Sequence, residues 1–328
     1  MQKFRAFRVT NDDGRIAGRV TELTLDDLAP GEVVIKTAYS SVNYKDALAG
    51  TGTGGKIIRK YPLVAGIDAA GTVVSSSDAR FKAGDPVIST SYDMGVAHDG
   101  GFSEYCRVPA AWCVPLPPGL TLFEAMALGT AGYTAALAVM LLEVNGLKPD
   151  NGPVLVNGAT GGVATLTIDM LAGNGYAVTA MTGKATQKEF LVGLGATEVM
   201  PRPDIDAKPR PLEKSLWAAA FDSVGGAQLA WLTRTMHQHG LIASFGNAGG
   251  IELNTTVLPF ILRGVRLIGV DSAQTPMPLR QQVWQRLAKD LKPRHLSAVA
   301  TTIGLDDLPR HFEAVLNAQH RGRAVVKM

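Results

Sequence analysis

The chain has 328 residues, 46% of them hydrophobic and 19% charged, with a formal net charge of +3. That length suits roughly two domains of about 150 residues and allows large apolar cores, and so small a charge, with no Lys/Arg block, argues against nucleic-acid binding. No apolar run is read as approaching the roughly 18 residues of a membrane span, and the start M-Q-K-F-R-A-F-R reads as a strand rather than a leader, so the expected location is the cytoplasm.

Residues 1–124 carry β-type runs at 33–39, 71–75, 86–90 and 102–108, punctuated by Gly-Asp and Pro-Gly. They predict an irregular, mostly antiparallel β domain. The two cysteines, Cys106 and Cys113, could form one disulfide. Reduced core thiols are the expectation in the absence of a signal peptide. Residues 125–272 follow an Ala-rich helix at 123–142 with alternating strands and helices. Strands are expected at 154–156, 176–181, 197–200, 217–222, 240–245 and 265–270, and helices at 162–173, 186–194 and 226–238. That alternation means a parallel sheet with crossover helices, so the fold class is α/β. Residues 273–328 supply a helix at 279–291, with Leu279, Val283, Leu287 and Leu291 on one face, a second near 308–317, and a last strand at 323–327. A lone final strand needs a sheet, and the first domain is the simplest host. The Pro-rich stretch 201–211 reads as a surface loop.

The densest chemistry lies at 152–184. A strand, Val154-Leu155-Val156, runs into Gly158-Ala-Thr160-Gly161-Gly162-Val163-Ala164 and then a helix. In the spacing G-x-x-G-x-x-A, Gly158 makes the tight turn, Gly161 admits a pyrophosphate to the backbone, and Ala164 keeps helix and sheet close. The helix N-terminus offers free N–H groups to phosphates. A plain tight turn is the structural alternative, and the strand–turn–helix context favours a dinucleotide. The second strand ends in Thr182-Gly183-Lys184, without the acid that would hold an NAD ribose, and Arg202 follows the third strand. Two cations and no acid favour NADPH. Lys184 alone could equally be a solvated loop lysine.

Other runs stand in order: Ser41-Val-Asn-Tyr-Lys-Asp-Ala47, Pro62-Leu-Val-Ala-Gly-Ile-Asp68, Gly100-Gly-Phe-Ser-Glu-Tyr-Cys106, Gly129-Thr-Ala-Gly-Tyr-Thr-Ala135, Phe221-Asp-Ser-Val-Gly-Gly226, Leu258-Pro-Phe-Ile-Leu-Arg-Gly264 and Arg321-Gly-Arg-Ala-Val-Val-Lys327. Together they resemble the medium-chain dehydrogenase/reductase superfamily in its zinc-free quinone-oxidoreductase branch, and within it the NADPH-dependent acryloyl-CoA reductases. The resemblance covers nearly the whole chain. It implies a GroES-like catalytic domain from 1–124 and 273–328, a Rossmann NADPH-binding domain from 125–272, and an active-site cleft between them. Ala65, Asn157 and Ala164 depart from the family's usual Pro, Thr and Gly, and are read as tolerated.

Zinc-dependent relatives place Gly-His-Glu where this chain has Gly66-Ile67-Asp68, and carry a lobe of four cysteines that two cannot make. Asn43 and Tyr44 stand where a ligating Cys would lie. No three-ligand zinc site assembles from these motifs, so no metal is expected. His98 reads as a structural loop histidine. Without a metal, reducing an activated C=C bond is easier than reducing a carbonyl, because hydrogen-bond donors suffice for the enolate oxygen.

By resemblance, Tyr44 and Asp46 belong to the active site, with Tyr44 near nicotinamide and substrate and Asp46 orienting it. Asn43 could hold the thioester or the nicotinamide amide. The alternative is an Asx-type turn with a solvated Lys45-Asp46 pair. The resemblance also puts Asn317 near the cofactor, and Asn247 and Val270 border the cleft after the fifth and sixth strands. The basic run Lys56, Arg59, Lys60 is a CoA-phosphate clamp or a solvated loop. The sixth strand predicts a homodimer, because a bare apolar edge is a liability. The expected activity is NADPH-dependent reduction of acryloyl-CoA, with a quinone or general alkene reductase, or a non-enzymatic NADPH-binding protein, as alternatives.

Overall fold

The computed structural model describes residues 2–53, 57–205 and 210–328. The chain forms two compact units, one from 1–131, 272–288 and 296–328, the other from 132–271 and 289–295. The division falls inside the helix Leu122–Val144, which breaks at Gly129 (φ 52°, ψ −156°). The expected 124/125 boundary lies before that kink, and 289–295 return to the second unit.

The first unit holds two sheets. Phe4–Asp12 pairs with Arg15–Leu23 and with Leu63–Val64. The larger sheet runs Ala300–Ile303, Arg323–Lys327, Val33–Ser41, Asp68–Ser76, Pro86–Thr90, Cys113–Pro115, and Tyr105–Val108 also pairs with Val33–Ser41. The terminal strand is antiparallel to Val33–Ser41, with Val325 opposite Ser41. Residues 43–46 do not end in an Asx-type turn: with Asn43 as N-cap they open a helix, Tyr44–Thr51. Its inner face is small, Ala47, Ala49 and Gly50, and a Cβ at Gly50 would enter the Phe312 ring. Small residues thus let it lie directly on the helix Leu308–Leu316, whose Leu308 and Phe312 are buried one turn apart. Cys106 and Cys113 are buried free thiols.

The second unit is a six-stranded parallel sheet in the order Glu198–Met200, Val178–Met181, Val154–Val156, Trp217–Asp222, Met236–Ser244, Arg266–Gly269. This is the doubly wound Rossmann order, which reverses between Val154–Val156 and Trp217–Asp222. The two central strands are wholly buried, hence their unbroken apolar runs. The helix expected at 226–238 ends at Thr235, because the next strand starts at once at Met236.

The helix Leu122–Val144 corrects one expectation: it is 23 residues long and apolar enough to cross a membrane. Its most apolar window is 83% buried, so protein already covers the surface that lipid would face.

Candidate functional site

In the second unit the glycine turn sits at the point where the strand order reverses. Gly158 has φ +58°, and a Cβ there would run into Ser223 Oγ. Thr160 is buried, while Gly161, the N-cap of the helix Gly162–Gly173, is exposed and Gly162 and Val163 are half-buried. The first N–H groups of that helix therefore face outward with no intrahelical acceptor. Asn157, just past Val154–Val156, and Asp222, the last residue of Trp217–Asp222, flank the reversal and are both fully buried. Asn157 Nδ2 donates to Asp222 Oδ1, and Asn157 Oδ1 accepts from the Ser223 N–H at 2.7 Å. Asp222 also accepts from the Gly225 N–H at 3.1 Å, which closes the next turn. Burial raises its carboxyl above the usual range, and these donors oppose the rise. Asn157 is thus more than a tolerated replacement: it ties the two strand ends together.

At the end of the second strand, Thr182 Oγ1 accepts from the Lys184 N–H at 3.1 Å, so its own proton remains to be donated. Arg202 crosses over Gly183, where a Cβ would stand 3.3 Å from Arg202 Nε. Lys184 is half-buried and its ammonium is depressed, first by burial and then by the Arg202 charge. A dianion here would relieve both effects, which is how this corner fits a 2′-phosphate. Asn247 is exposed just beyond Met236–Ser244, on a loop laid backbone to backbone on Gly225 and Gly226. The Val270 N–H donates to Ser244 O at 3.0 Å. Asn247 and Val270 therefore follow the C-terminal ends of their strands.

The first unit contains a buried polar cluster. Asp68 is fully buried and its carboxylate accepts from Ser41 Oγ (2.6 Å), Asn43 Nδ2 (2.7 Å), the Thr130 N–H (2.9 Å) and Thr130 Oγ1 (2.5 Å). Arg323 Nη2 lies 3.9 Å from Asp68 Oδ2 and donates to Ser41 Oγ at 2.8 Å. Burial lowers the Arg323 pKa, and the two aspartates oppose that. Asp46 accepts from the Asn43 N–H (2.8 Å), Asn43 Nδ2 (3.1 Å) and the Ile67 N–H (2.9 Å). Burial and the nearby Asp68 push its pKa up to about 7. The kink at Gly129 exists for this cluster: a Cβ there would collide with Ser41 Oγ and stand 2.5 Å from Asp68 Oδ2.

Two roles read from the sequence need correction. Asp46 makes no direct bond to Tyr44: it turns inward and caps the helix that Tyr44 opens, while Tyr44 points outward, 46% exposed. Asn43 does not reach outward for a thioester or an amide. Its Nδ2 bridges the two aspartates and its Oδ1 accepts from Arg323 Nη1 at 3.3 Å. Tyr44 instead meets Asn317 in a groove of about 500 Å³ between the helices Tyr44–Thr51 and Leu308–Leu316, with Leu48, Thr51, Thr53, Glu313 and Leu316 completing the lining.

Sequence reasoning missed Asp68, Thr130 and Arg323 as partners of Asn43 and Asp46. Each lies in a quoted motif, but the motifs are far apart in the chain and only the sheet brings them together. Arg59 is paired with Asp93 at 3.4 Å, Lys60 is exposed, and Lys56 lies outside the described residues. His98 is structural: its ring bonds the carbonyls of Asp99 and Pro30, both at 2.9 Å. Among the described residues no three of His, Cys, Asp or Glu converge as a metal site.

A doubly wound sheet with a phosphate-ready turn, joined to a β unit with a buried polar cluster, defines a dinucleotide-binding oxidoreductase of the medium-chain class. Known proteins bear on the family directly. The pattern of the alcohol dehydrogenase GroES-like domain matches residues 29–118. The chain is 47% identical to the acrylyl-CoA reductase AcuI of Ruegeria pomeroyi over 98% of each chain. It is 48% identical, over 99% of each, to YhfP of Bacillus subtilis, whose name places it provisionally among quinone oxidoreductases. Its fold superposes on the yhdH oxidoreductase of Salmonella enterica in complex with NADP, with TM-score 0.96, 46% identity and 99% of each chain covered. It superposes equally on Bacillus subtilis yhfP with NAD bound, with TM-score 0.97, 47% identity and 100% of each covered. The chain belongs to this AcuI–YhfP family of medium-chain dehydrogenases/reductases.

Proposed function

We propose that the protein is an NADPH-dependent reductase of the activated C=C bond of acryloyl-CoA, forming propanoyl-CoA. The observation that carries the cofactor choice is the Lys184–Arg202 pair flanking Gly183, at the strand end where an NAD-binding acid would stand. The substrate reading rests on identity to AcuI. The yhfP structure with NAD bound makes the cofactor preference a point to test.

NADPH, when bound, supplies a hydride. Thr160, Gly161, Gly162 and Val163 would hold its pyrophosphate, Thr182, Gly183, Lys184 and Arg202 its 2′-phosphate, and Asn247 and Val270 the edge of the site. Tyr44 and Asn317 would line the groove side of the reacting groups, with the Tyr44 hydroxyl free to hydrogen-bond the thioester oxygen or deliver a proton. Asn43 and Asp46 would act through structure, fixing the start of the Tyr44 helix on Asp68 and Arg323. Asp68 stands where zinc relatives have an acid, and its oxygens are already filled by protein donors, which supports metal-free chemistry.

The test is NADPH oxidation with acryloyl-CoA, crotonyl-CoA and a quinone side by side, with thioester products identified by mass. A clear preference for acryloyl-CoA is expected. Equal or absent rates refute the reading, and a quinone preference establishes the alternative that identity to YhfP favours. The same family membership supports an enzyme over a non-enzymatic NADPH-binding protein.

A cytoplasmic homodimer completes the reading. The strand Arg266–Gly269 is an edge of its sheet, and Val257, Ile261 and Leu262, just before it in the chain, are 66%, 68% and 55% exposed. Two free buried thiols suit a reducing compartment. A monomer by light scattering at micromolar concentration refutes the dimer.

A further inference from the structure

The dinucleotide-binding unit has a second depression, of about 210 Å³, lined by Arg210, Pro211, Arg234, Asn254, Thr255 and Thr256. Arg234 lies in the last turn of the helix Gly226–Thr235, whose first turn adjoins the glycine loops of the nucleotide site. Ten residues of helix, about 15 Å, separate the two. Arg234 is 4% exposed. Its Nε donates to Glu213 Oε1 at 2.8 Å, and its Nη2 is buried with no partner. Arg263 lies behind it, with Nη1 donating to the carbonyls of Arg234 (2.7 Å) and Met236 (3.1 Å). Two guanidiniums, Arg210 and Arg234, therefore line the depression, and among the described residues no acid is in its lining.

The remaining donors point the same way. Thr256 Oγ1 accepts from the Leu258 N–H at 3.3 Å and keeps its own proton to give. Thr255 is spent on Thr233, whose hydroxyl donates to Ala230 O at 2.8 Å. Asn254 is an exposed amide. A buried guanidinium N–H without an acceptor is costly, and an oxyanion removes both that cost and the excess charge. The volume suits a tetrahedral ion rather than a nucleotide.

We propose that this depression is a phosphate-binding site separate from the dinucleotide site, with Arg234 and Arg210 as its cations and Thr256 and Asn254 as its neutral donors. The test is the melting temperature of the full protein saturated with NADPH, in inorganic phosphate against chloride at matched ionic strength. Saturation keeps phosphate off Lys184 and Arg202. The double variant Lys184→Gln, Arg202→Gln gives the same isolation without relying on NADPH binding. Phosphate is expected to raise the melting temperature by about 2–4 °C. Arg210→Gln, an exposed change, should weaken phosphate binding about tenfold and leave NADPH oxidation unchanged, and Arg234→Met should abolish the shift. A glycerol phosphate arm separates a monoester from the free ion. If Arg234→Met does not fold, Arg210→Gln decides. The absence of a phosphate-specific shift, including one caused by a partner subunit covering the depression, overturns the proposal, as does an equal shift in Arg210→Gln.

Discussion

Asp46 gives the most direct physical test of the buried cluster. Its folded pKa is pushed up to about 7 by burial and Asp68, against about 3.9 for an unfolded aspartate. Between those two values the native state holds a proton that the unfolded chain has released. Stability from this group therefore falls as pH rises from about 4 through 7, then levels off. Three pK units correspond to at most about 4 kcal/mol. Asp46→Asn cannot ionise, so its stability should not carry this slope. The amide places an N–H against one of the donors from Asn43 or Ile67, a penalty that is the same at every pH and cancels in the comparison. Urea unfolding of both proteins at pH 5, 6, 7 and 8 measures the difference. About 2.5 kcal/mol of that falls between pH 5 and 8, so the variant should gain on the wild type by up to about 2.5 kcal/mol over this range. Slopes that agree within about 0.5 kcal/mol would show that Asp46 is ionised throughout, held by its three N–H donors, and would refute this account of the cluster.

Lys184→Gln and Arg202→Gln should each raise the KM for NADPH about tenfold or more and leave the KM for NADH nearly unchanged, read from initial rates with both cofactors. Gly129→Ala forces a side chain into positive φ and onto Ser41 and Asp68, and should cost about 3 kcal/mol or more in urea unfolding. Phe312→Ala removes a ring that is 1% exposed and packs edge-on against Phe7 at 5.6 Å, and should cost about 3–5 kcal/mol by the same measurement.

Much of the second unit is legible in the sequence because its signals are local. A strand, a glycine turn and a helix are contiguous, and Thr182-Gly183-Lys184 follows within the same crossover. The first unit resists such reading. Residues 43–46 read as a turn because nothing local marks the helix they open: its inner face is Ala and Gly, and Gly50 is small to admit Phe312, which lies far along the chain. The same distance hides the role of Asn43. Locally it reads as an Asx turn or a substrate contact, and both readings treat its amide as facing outward. The amide instead joins Asp46, three residues on, to Asp68, on another strand, while Arg323 arrives from the last strand to bond its oxygen. Two buried acids can share one site only when enough donors surround them, and here the donors come from Ser41, Asn43, Ile67, Thr130 and Arg323 together. The cluster leaves Tyr44 as the one member of the N-Y-K-D run placed on the open groove with Asn317. If the reaction needs a hydroxyl from this run, Tyr44 has to supply it, and the buried acids fix where that hydroxyl stands.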